Sequence, residues 1–483
     1  MKMCRKLRTS KYLRIVPRHD GFALYHSLYG GLCIVDGNIR RLFEVFRTPK
    51  SISDVVGEDI AVDELHIGSF VRHFEEKGFL VEQDSKESSR LEHHLEKVGK
   101  NLHKGSQVGV VQLVLTNLCN FRCEYCFVES IYSSEERVKA QASKDNRVMR
   151  SDDARVYLER VIALARQNGK TALSVQFFGG EPLINWKVMK SVLEYFGAGE
   201  EQGLEIRYSI VTNGSLITEE IAEYCKKYKV SVIVSFDSPS GKQRCCTNGK
   251  DSGDLVERGL SLLNKYYNRV AFNAVLSSET FDAFGSDLVD FALAHYVFEI
   301  GVLLDLNPEF YERYHAEDIV DRLWDVYLYG KQKGVLLTGY WHMIFQQLLQ
   351  KDLYKVRGFK TCSATGCQLS IEPSGEVFAC KGSSGYFGNI RCPDDLLSSE
   401  NYRKYALRTF LNSPACRGCE IEGFCSGFCL GPLEKKYGSI LVVEKNTCAV
   451  YKELARRLIE DADRQELAVF SMQTKEGSRS FFD

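Results

Sequence analysis

Residues 21–35, GFALYHSLYGGLCIV, alternate apolar and polar positions around a Gly-Gly pair, which predicts short strands joined by a turn. The period then changes. Ile39, Leu42, Phe43 and Phe46 share one helical face, Leu65, Phe70, Val71 and Phe74 share another, and Gly78-Phe-Leu-Val follows as a closing strand. Together these predict a small α+β unit. Residues 84–107 nearly lack large apolar side chains, so a solvated linker or exposed helix is expected there, with a domain boundary.

From residue 109 apolar, strand-like runs recur at 109–115, 173–178, 206–211, 230–236, 270–276 and 297–304, with helical patterns between them. Ser151 is the expected cap of a helix lined by Ala154, Leu158, Val161 and Ala165, and further helices are expected near Asn185, Thr218, Gly253 and Ser286. Six strands alternating with helices predict parallel βαβ units, as a partial barrel or an open doubly wound sheet. Either arrangement gathers the loops after the strands at one mouth, where ligands bind. Residues 311–355 read as two helices whose Trp324, Tyr327, Trp341 and Phe345 are spaced as core. Beyond Lys360 the chain is loop-rich and cysteine-dense, with too few periodic apolar residues for an ordinary core. A charged helix over 450–467 ends the pattern.

Composition narrows the function classes. The 483 residues carry 63 basic and 64 acidic side chains, so the near-zero charge argues against a nucleic-acid partner. No run approaches the ~20 apolar residues of a membrane span, and the basic start lacks the apolar core of a signal peptide, so a cytoplasmic protein without a membrane partner is expected. Seventeen cysteines in a reducing compartment read as metal ligands sooner than as disulfides. Six of them, Cys4, Cys33, Cys225, Cys245, Cys246 and Cys392, have no ligand-like spacing and are expected in packing or at the surface.

Cys119, Cys123 and Cys126 lie in TNLCNFRCEYCF, directly after the first predicted barrel strand. Three thiolates fall one short of a structural zinc site, which takes four ligands, whereas a [4Fe-4S] cluster on three cysteines leaves one iron open. Zinc with a remote fourth ligand is the alternative. This CxxxCxxC spacing, with Tyr125 before its last cysteine, resembles the radical S-adenosylmethionine (radical SAM) enzymes. The resemblance continues in Gly179-Gly180-Glu181-Pro182, in Thr212-Asn213-Gly214, in Ser235 and Asp237 at the end of the fourth strand, and in Arg244-x4-Gly249-x2-Ser252. It implies that Tyr125, Gly179, Gly180, Glu181, Ser235 and Arg244 bind S-adenosylmethionine, with Glu181 on its amino group and Arg244 on its carboxylate. Ser238 departs from the family, which often has glycine there.

The second cysteine group, Cys362-x12-Gly375-x4-Cys380 with Cys367, then Cys416-x2-Cys419-x5-Cys425-x3-Cys429 and Cys448, resembles the SPASM extension of peptide-modifying radical SAM enzymes. By that resemblance Cys362, Cys367, Cys380 and Cys429 hold one auxiliary [4Fe-4S] cluster, and Cys416, Cys419, Cys425 and Cys448 hold another. An interleaved zinc pair is the alternative. Residues 12–83 are similar in pattern to the winged-helix-like, PqqD-like element that binds leader peptides by strand addition. A unit that only packs on the barrel or forms dimers is the other reading.

The expected fold is therefore α/β, a partial (β/α)6 radical SAM barrel over 96–310. A winged-helix-like α+β domain over 1–95 precedes it, and a helical bridge over 311–359, a SPASM domain over 360–450 and a C-terminal helix and tail over 451–483 follow it. The implied function is modification of a ribosomally made precursor peptide with three [4Fe-4S] clusters and S-adenosylmethionine. A 5'-deoxyadenosyl radical takes a hydrogen from the peptide, a flavodoxin- or ferredoxin-like donor supplies electrons, and a thioether or carbon–carbon crosslink results. The other expectations are epimerisation, with Cys245, Cys246 or Cys392 returning a hydrogen atom, a sulfatase maturase, and a non-catalytic electron carrier. The sulfatase family places an aspartate base where this chain has Lys381.

Overall fold

The computed structural model describes residues 5–56, 64–126, 147–239, 241–349, 362–425, 427, 429–463 and 468–470; Cys4 and the side chain of Leu65 lie outside what it describes. Near the N-terminus, β1 (Leu7–Thr9), β2 (Leu13–Arg18), β3 (Gly21–His26), β4 (Gly30–Val35) and β5 (Leu80–Glu82) surround the helices Gly37–Val45 and Glu64–Glu76. β2, β3 and β4 form an antiparallel meander, while β1 pairs with β5. Alternation divides the sheet's two faces as the period of two requires. Leu24, Cys33 and Val35 pack with Phe43, Phe46 and Phe74, whereas Ala23, Tyr25, Leu32 and Ile34 join the core of the main body. The N-terminal unit thus shares a hydrophobic face with the barrel. The sparse stretch after it folds as the helix Ser89–Asn101, whose Leu91 is buried against Leu28 and Cys416.

All six predicted barrel strands form. They are β6 (Val110–Thr116), β8 (Ala172–Gly179), β9 (Glu205–Thr212), β10 (Ser231–Ser235), β12 (Val270–Leu276) and β13 (Glu299–Leu304), paired in parallel in that order. A short antiparallel pair, β7 (Phe121–Cys123) with β11 (Arg244–Cys246), lies outside this sheet. Helices begin at Trp186, Glu219, Gly253 and Ser286, and Thr218 caps its helix by accepting from the Ile221 amide at 3.3 Å. Ser151 does not cap its helix. The extended cap position is Arg150, and Ser151 is the first helical residue.

The sheet is longer than the pattern predicts. β14 (Leu336–Thr338) adds a seventh parallel strand beyond β13, inside a segment read as helical. Three residues are too few to interrupt a helical period visibly. On the other flank β15 (Gln368–Ile371) pairs in parallel with β6, and β16 (Glu376–Phe378) and β17 (Tyr386–Asn389) continue antiparallel, so ten strands run from β14 to β17. The terminal strands do not meet, which leaves the barrel open. The helix Lys445–Asp461 packs on the helices Ala316–Lys333 and Tyr340–Leu348, and β18 (Ala468–Phe470) returns to pair with β4. Among the described residues no helix is long and apolar enough to cross a membrane.

Candidate functional site

The three-cysteine loop leaves β6 at the barrel mouth and is clamped from three sides. The first clamp is Gly179-Gly180-Glu181, whose Gly180 and Glu181 amides donate to the Thr116 and Leu118 carbonyls at 2.9 and 2.8 Å. A Cβ on either glycine would stand less than 3.0 Å from those carbonyls, so the glycines are required by close backbone approach. The second clamp is Thr212-Asn213-Gly214, where Asn213 Nδ2 donates to Asn120 Oδ1 and Asn120 Nδ2 donates to Ser215 Oγ, both at 2.9 Å. The third is the antiparallel β7–β11 pair, which places Arg244 opposite Cys123.

Glu181 is buried, and its carboxylate accepts from Thr212 Oγ1 at 2.8 Å, the Asn213 amide at 2.7 Å and the Leu183 amide at 3.0 Å. Burial pushes its carboxyl up to about 7 against those donors. Arg244 donates from Nε to Asp237 Oδ2 at 2.8 Å, sends Nη1 to within 3.8 Å of Cys123 Sγ, and lies over the Tyr125 ring at 5.4 Å. Tyr125 donates its hydroxyl to the same Asp237 oxygen, and Asp237 Oδ1 accepts the Val275 amide at 2.8 Å. One buried carboxylate therefore orients both the arginine and the tyrosine. Ser235 stands on a small recess with Asp237, Gln243, Arg244 and Ser252, and Ser238 uses its hydroxyl locally, donating to Gln243 Oε1 at 3.2 Å.

The thiols of this loop fit an iron–sulfur cluster. Burial pushes the half-buried Cys123 thiol up to about 12, so a bound cation such as iron would favour its thiolate, while Cys119 is exposed at the mouth. Among the described residues no three His, Cys, Asp or Glu side chains converge as a single metal ion requires. A cube spreads its thiolates over separate irons instead.

The second cysteine group sits against the same mouth. Cys448 lies where the charges of Cys425, Cys416 and Cys419 act on it, whereas Cys362 feels Cys367, and Cys429 feels Cys362. The segments after Cys380 and Cys429 touch through backbone, since a Cβ on Gly431 would meet the Gly382 carbonyl. Between the two sets lies Arg408, buried, with Nε on the Ile440 carbonyl at 2.9 Å and Nη2 without a hydrogen-bond partner. The thiols of Cys416, Cys425 and Cys362 act on its charge. A buried cation so placed fits anionic clusters on either side. Arg408→Met is accordingly expected to destabilise cluster-loaded protein by about 3–5 kcal/mol, the cost of breaking a buried charge pair. In cluster-free protein the same change should be neutral or stabilising, and thermal unfolding of the two forms checks the reversal.

Lys381 bridges the two cysteine groups. It is buried, donates from Nζ to Asn117 Oδ1 at 2.5 Å, and stands 3.8 Å from Glu372, while its amide donates to Gln112 Oε1 at 2.9 Å. Burial holds its amine well below the usual lysine range.

A cavity of about 730 Å³, within the roughly 300–1,000 Å³ common for ligand sites, opens between the cluster loop and the C-terminal region. Tyr125, Cys126, Glu279, Asp305, Gly431 and Lys435 are on its wall. Asp305 follows β13 and is buried, with Oδ1 accepting the Asn307 amide at 2.8 Å. Burial first, then the neighbouring Glu279, pushes its carboxyl up to about 6. In sequence Asp237 stands at a strand end without an assigned role, and Asp305 carries no motif. Each is a carboxylate just beyond the C-terminal end of a parallel strand, and that position was the available signal. Among the described residues Cys33 and Cys225 are buried in packing, Cys392 is exposed, and Cys245 and Cys246 lie on β11, outside the cavity wall.

An open parallel barrel with three thiols clamped at its mouth beside a ligand-sized cavity defines a cluster-bearing enzyme class. Residues 113–288 match the Radical SAM superfamily model. The radical SAM cyclopropyl synthase TigE of Paramaledivibacter caminithermalis is 47% identical over 457 residues, which cover 94% of this chain and 96% of that protein. The chain belongs to the radical SAM superfamily, and is an enzyme of that family, which uses a [4Fe-4S] cluster and S-adenosylmethionine. The cysteine-type anaerobic sulfatase-maturating enzyme of Clostridium perfringens is 25% identical over 69% of this chain and 92% of its own length. Two solved structures share the fold. Native anSMEcpe with bound AdoMet has a TM-score of 0.58 at 21% identity, over 72% of this chain and 96% of its own. Streptococcus suis SuiB bound to precursor peptide SuiA has a TM-score of 0.51 at 15% identity, over 92% and 99%.

Proposed function

We propose that this enzyme modifies a ribosomally made precursor peptide by closing a carbon–carbon bond within it, in the manner its 47% identical relative is named for. That near full-length identity is the observation that carries the reading. Cys119, Cys123 and Cys126 hold the first cluster; Cys362, Cys367, Cys380 and Cys429 hold a second, and Cys416, Cys419, Cys425 and Cys448 a third. When bound, the first cluster supplies one-electron cleavage of S-adenosylmethionine to a 5'-deoxyadenosyl radical, and the other two supply an outlet for an electron. Tyr125, Gly179, Gly180, Glu181, Ser235 and Arg244 hold the sulfonium substrate, with Asp237 fixing the arginine. The cavity beside Cys126 receives the peptide. The winged-helix-like N-terminal unit receives its leader, a flavodoxin- or ferredoxin-like protein delivers electrons, and the free thiols suit the reducing cytoplasm.

Closing a ring from a carbon-centred radical releases one proton and one electron. Asp305 is the cavity carboxylate placed to take that proton, since burial keeps its basicity near neutrality. The sulfatase-maturase reading is less well supported, because the residue after Cys380 is a buried lysine committed to Asn117. Epimerisation is disfavoured by the position of Cys245, Cys246 and Cys392 away from the cavity wall.

The test is anaerobic incubation of reduced holoenzyme with S-adenosylmethionine and the precursor peptide encoded beside its gene, read by mass spectrometry. Loss of two hydrogens with formation of 5'-deoxyadenosine is expected, and an unchanged mass overturns the reading. In Asp305→Asn, 5'-deoxyadenosine still forms, but the two-hydrogen loss falls by about 100-fold or more. The wild-type rate falls as pH drops through about 6, where the carboxylate becomes protonated, and the variant loses that dependence.

A further inference from the structure

The β3–β4 turn, Ser27–Tyr29, leaves the N-terminal unit and meets the second cysteine group. Its shape is set from within its own unit. His26 is buried, and its Nδ1 accepts the Leu28 and Tyr29 amides, both at 3.2 Å, while its ring stacks on Tyr29 at 4.6 Å. Burial lowers the imidazole to about 3, so it stays neutral and that nitrogen stays an acceptor. Tyr29 in turn donates its hydroxyl to the Glu87 carbonyl at 2.7 Å.

The braced turn is applied to the segment Cys416–Cys425. The Gly423 amide, in the first turn of the short helix Glu422–Cys425 where no intrahelical acceptor exists, donates to the Ser27 carbonyl at 3.0 Å. A Cβ on Gly423 would stand 2.7 Å from that carbonyl oxygen and 2.9 Å from Leu28 Cα. Glycine weakens a helix by about 1 kcal/mol relative to alanine, so close approach explains its presence there. Beside it Glu422 is buried, accepting from Ser27 Oγ at 2.8 Å and from the Gly418 amide at 2.9 Å. Arg14 of β2 stands 3.7 Å from Glu422 and donates to the Gly418 carbonyl at 3.2 Å. Leu28 packs in one apolar cluster with Leu91 and Cys416, and the charges of Cys419 and Glu420 act on Tyr25 of β3. Backbone, polar and apolar contacts from the N-terminal unit thus converge on the loop that carries three of the four thiols Cys416, Cys419, Cys425 and Cys448.

We infer that the N-terminal unit forms one wall of the site of this auxiliary cluster, its Ser27–Tyr29 turn holding the Cys416–Cys425 loop in ligating shape and keeping water out. The inference rests on the reading that these four thiols hold a [4Fe-4S] cluster, and adds that the site is incomplete without the N-terminal unit. Leu28 and Gly423 are its positioning residues. Excluding water also sets how readily the cluster takes an electron. Reduction makes a four-thiolate cluster more anionic, and a dry wall withholds the solvation that would stabilise the added charge.

The test uses full-length, anaerobically reconstituted protein carrying Leu28→Asn or Gly423→Ala, which open the seam from opposite sides. Each is challenged with the ferrous chelator bathophenanthroline under reducing conditions. About four of roughly twelve irons are expected to leave at least about tenfold faster than in the wild type, and the others at the wild-type rate. In a redox titration followed by electron paramagnetic resonance, the same cluster should become easier to reduce by at least about tenfold, about 59 mV for one electron. Leu28→Met, which keeps the wall apolar, should match the wild type in both measurements. Added to Cys419→Ala, neither Leu28→Asn nor Gly423→Ala should change iron release further. Gly423→Ala leaves every N-terminal side chain as it is, so its result stands even where Leu28→Asn fails to fold. Wild-type iron release and potential in Gly423→Ala overturn the proposal. A parent protein with about eight irons, unchanged by Cys419→Ala, overturns the reading of a third cluster and the wall with it.

Discussion

Cys123→Ala is expected to abolish cleavage of S-adenosylmethionine and, on the proposed reading of three clusters, to remove about four of roughly twelve irons per chain while the proposed C-terminal clusters stay. Cys123 ends β7, directly opposite Arg244 on β11, and burial pushes its thiol up to about 12. Removing it leaves two thiols, too few to hold a cube against loss. Iron analysis together with anaerobic assay of 5'-deoxyadenosine checks both halves of the expectation. Nucleoside formation at the wild-type level, or stoichiometric zinc with negligible iron in the parent protein, refutes the assignment of the first cysteine set.

The second large effect is expected from Gly180→Ala, which leaves every cysteine in the chain. Its new Cβ would stand 2.7 Å from the Leu118 carbonyl carbon and 3.1 Å from the Asn117 carbonyl oxygen. Both neighbours are backbone in the turn that leads into Cys119, so relief of the clash must move the ligand loop. Overpacking of this kind costs about 1–3 kcal/mol, little enough for the fold to persist. Displacement of a reacting centre by about 1 Å, however, is enough for a ~100-fold loss of rate. The first cluster is therefore expected to load poorly and nucleoside formation to fall at least about 100-fold, with circular dichroism unchanged. Normal iron content and normal cleavage in this variant would show that the glycine serves no close approach.

The barrel was legible in the sequence because each strand carries its own signal. Apolar runs of six to eight residues separated by helical periods predict parallel strands, and β6, β8, β9, β10, β12 and β13 formed where the runs lie. The three-cysteine spacing was legible for a similar reason, since its ligands are neighbours in the chain. β14 was missed because three residues cannot overturn a surrounding helical period. Asp237 and Asp305 went without roles because a lone aspartate after a strand is also an ordinary turn residue.

Taken alone, the amino-acid order determined the local elements, the thiol spacings and the need of the C-terminal segment for stability beyond a hydrophobic core. Only the tertiary structure decided that β15 pairs with β6, which brings Lys381 and Cys380 to the base of the first cysteine loop. It also decided that Asp237 ties Arg244 to Tyr125, that Asp305 faces the cavity, and that Ala468–Phe470 pairs with β4. The physical reason is range. Periodicity and ligand spacing are set by residues a few positions apart, whereas these pairings, the Asp237–Arg244 contact excepted, join segments more than a hundred residues apart. What selects them is the complementarity of surfaces that exist only once the elements have packed.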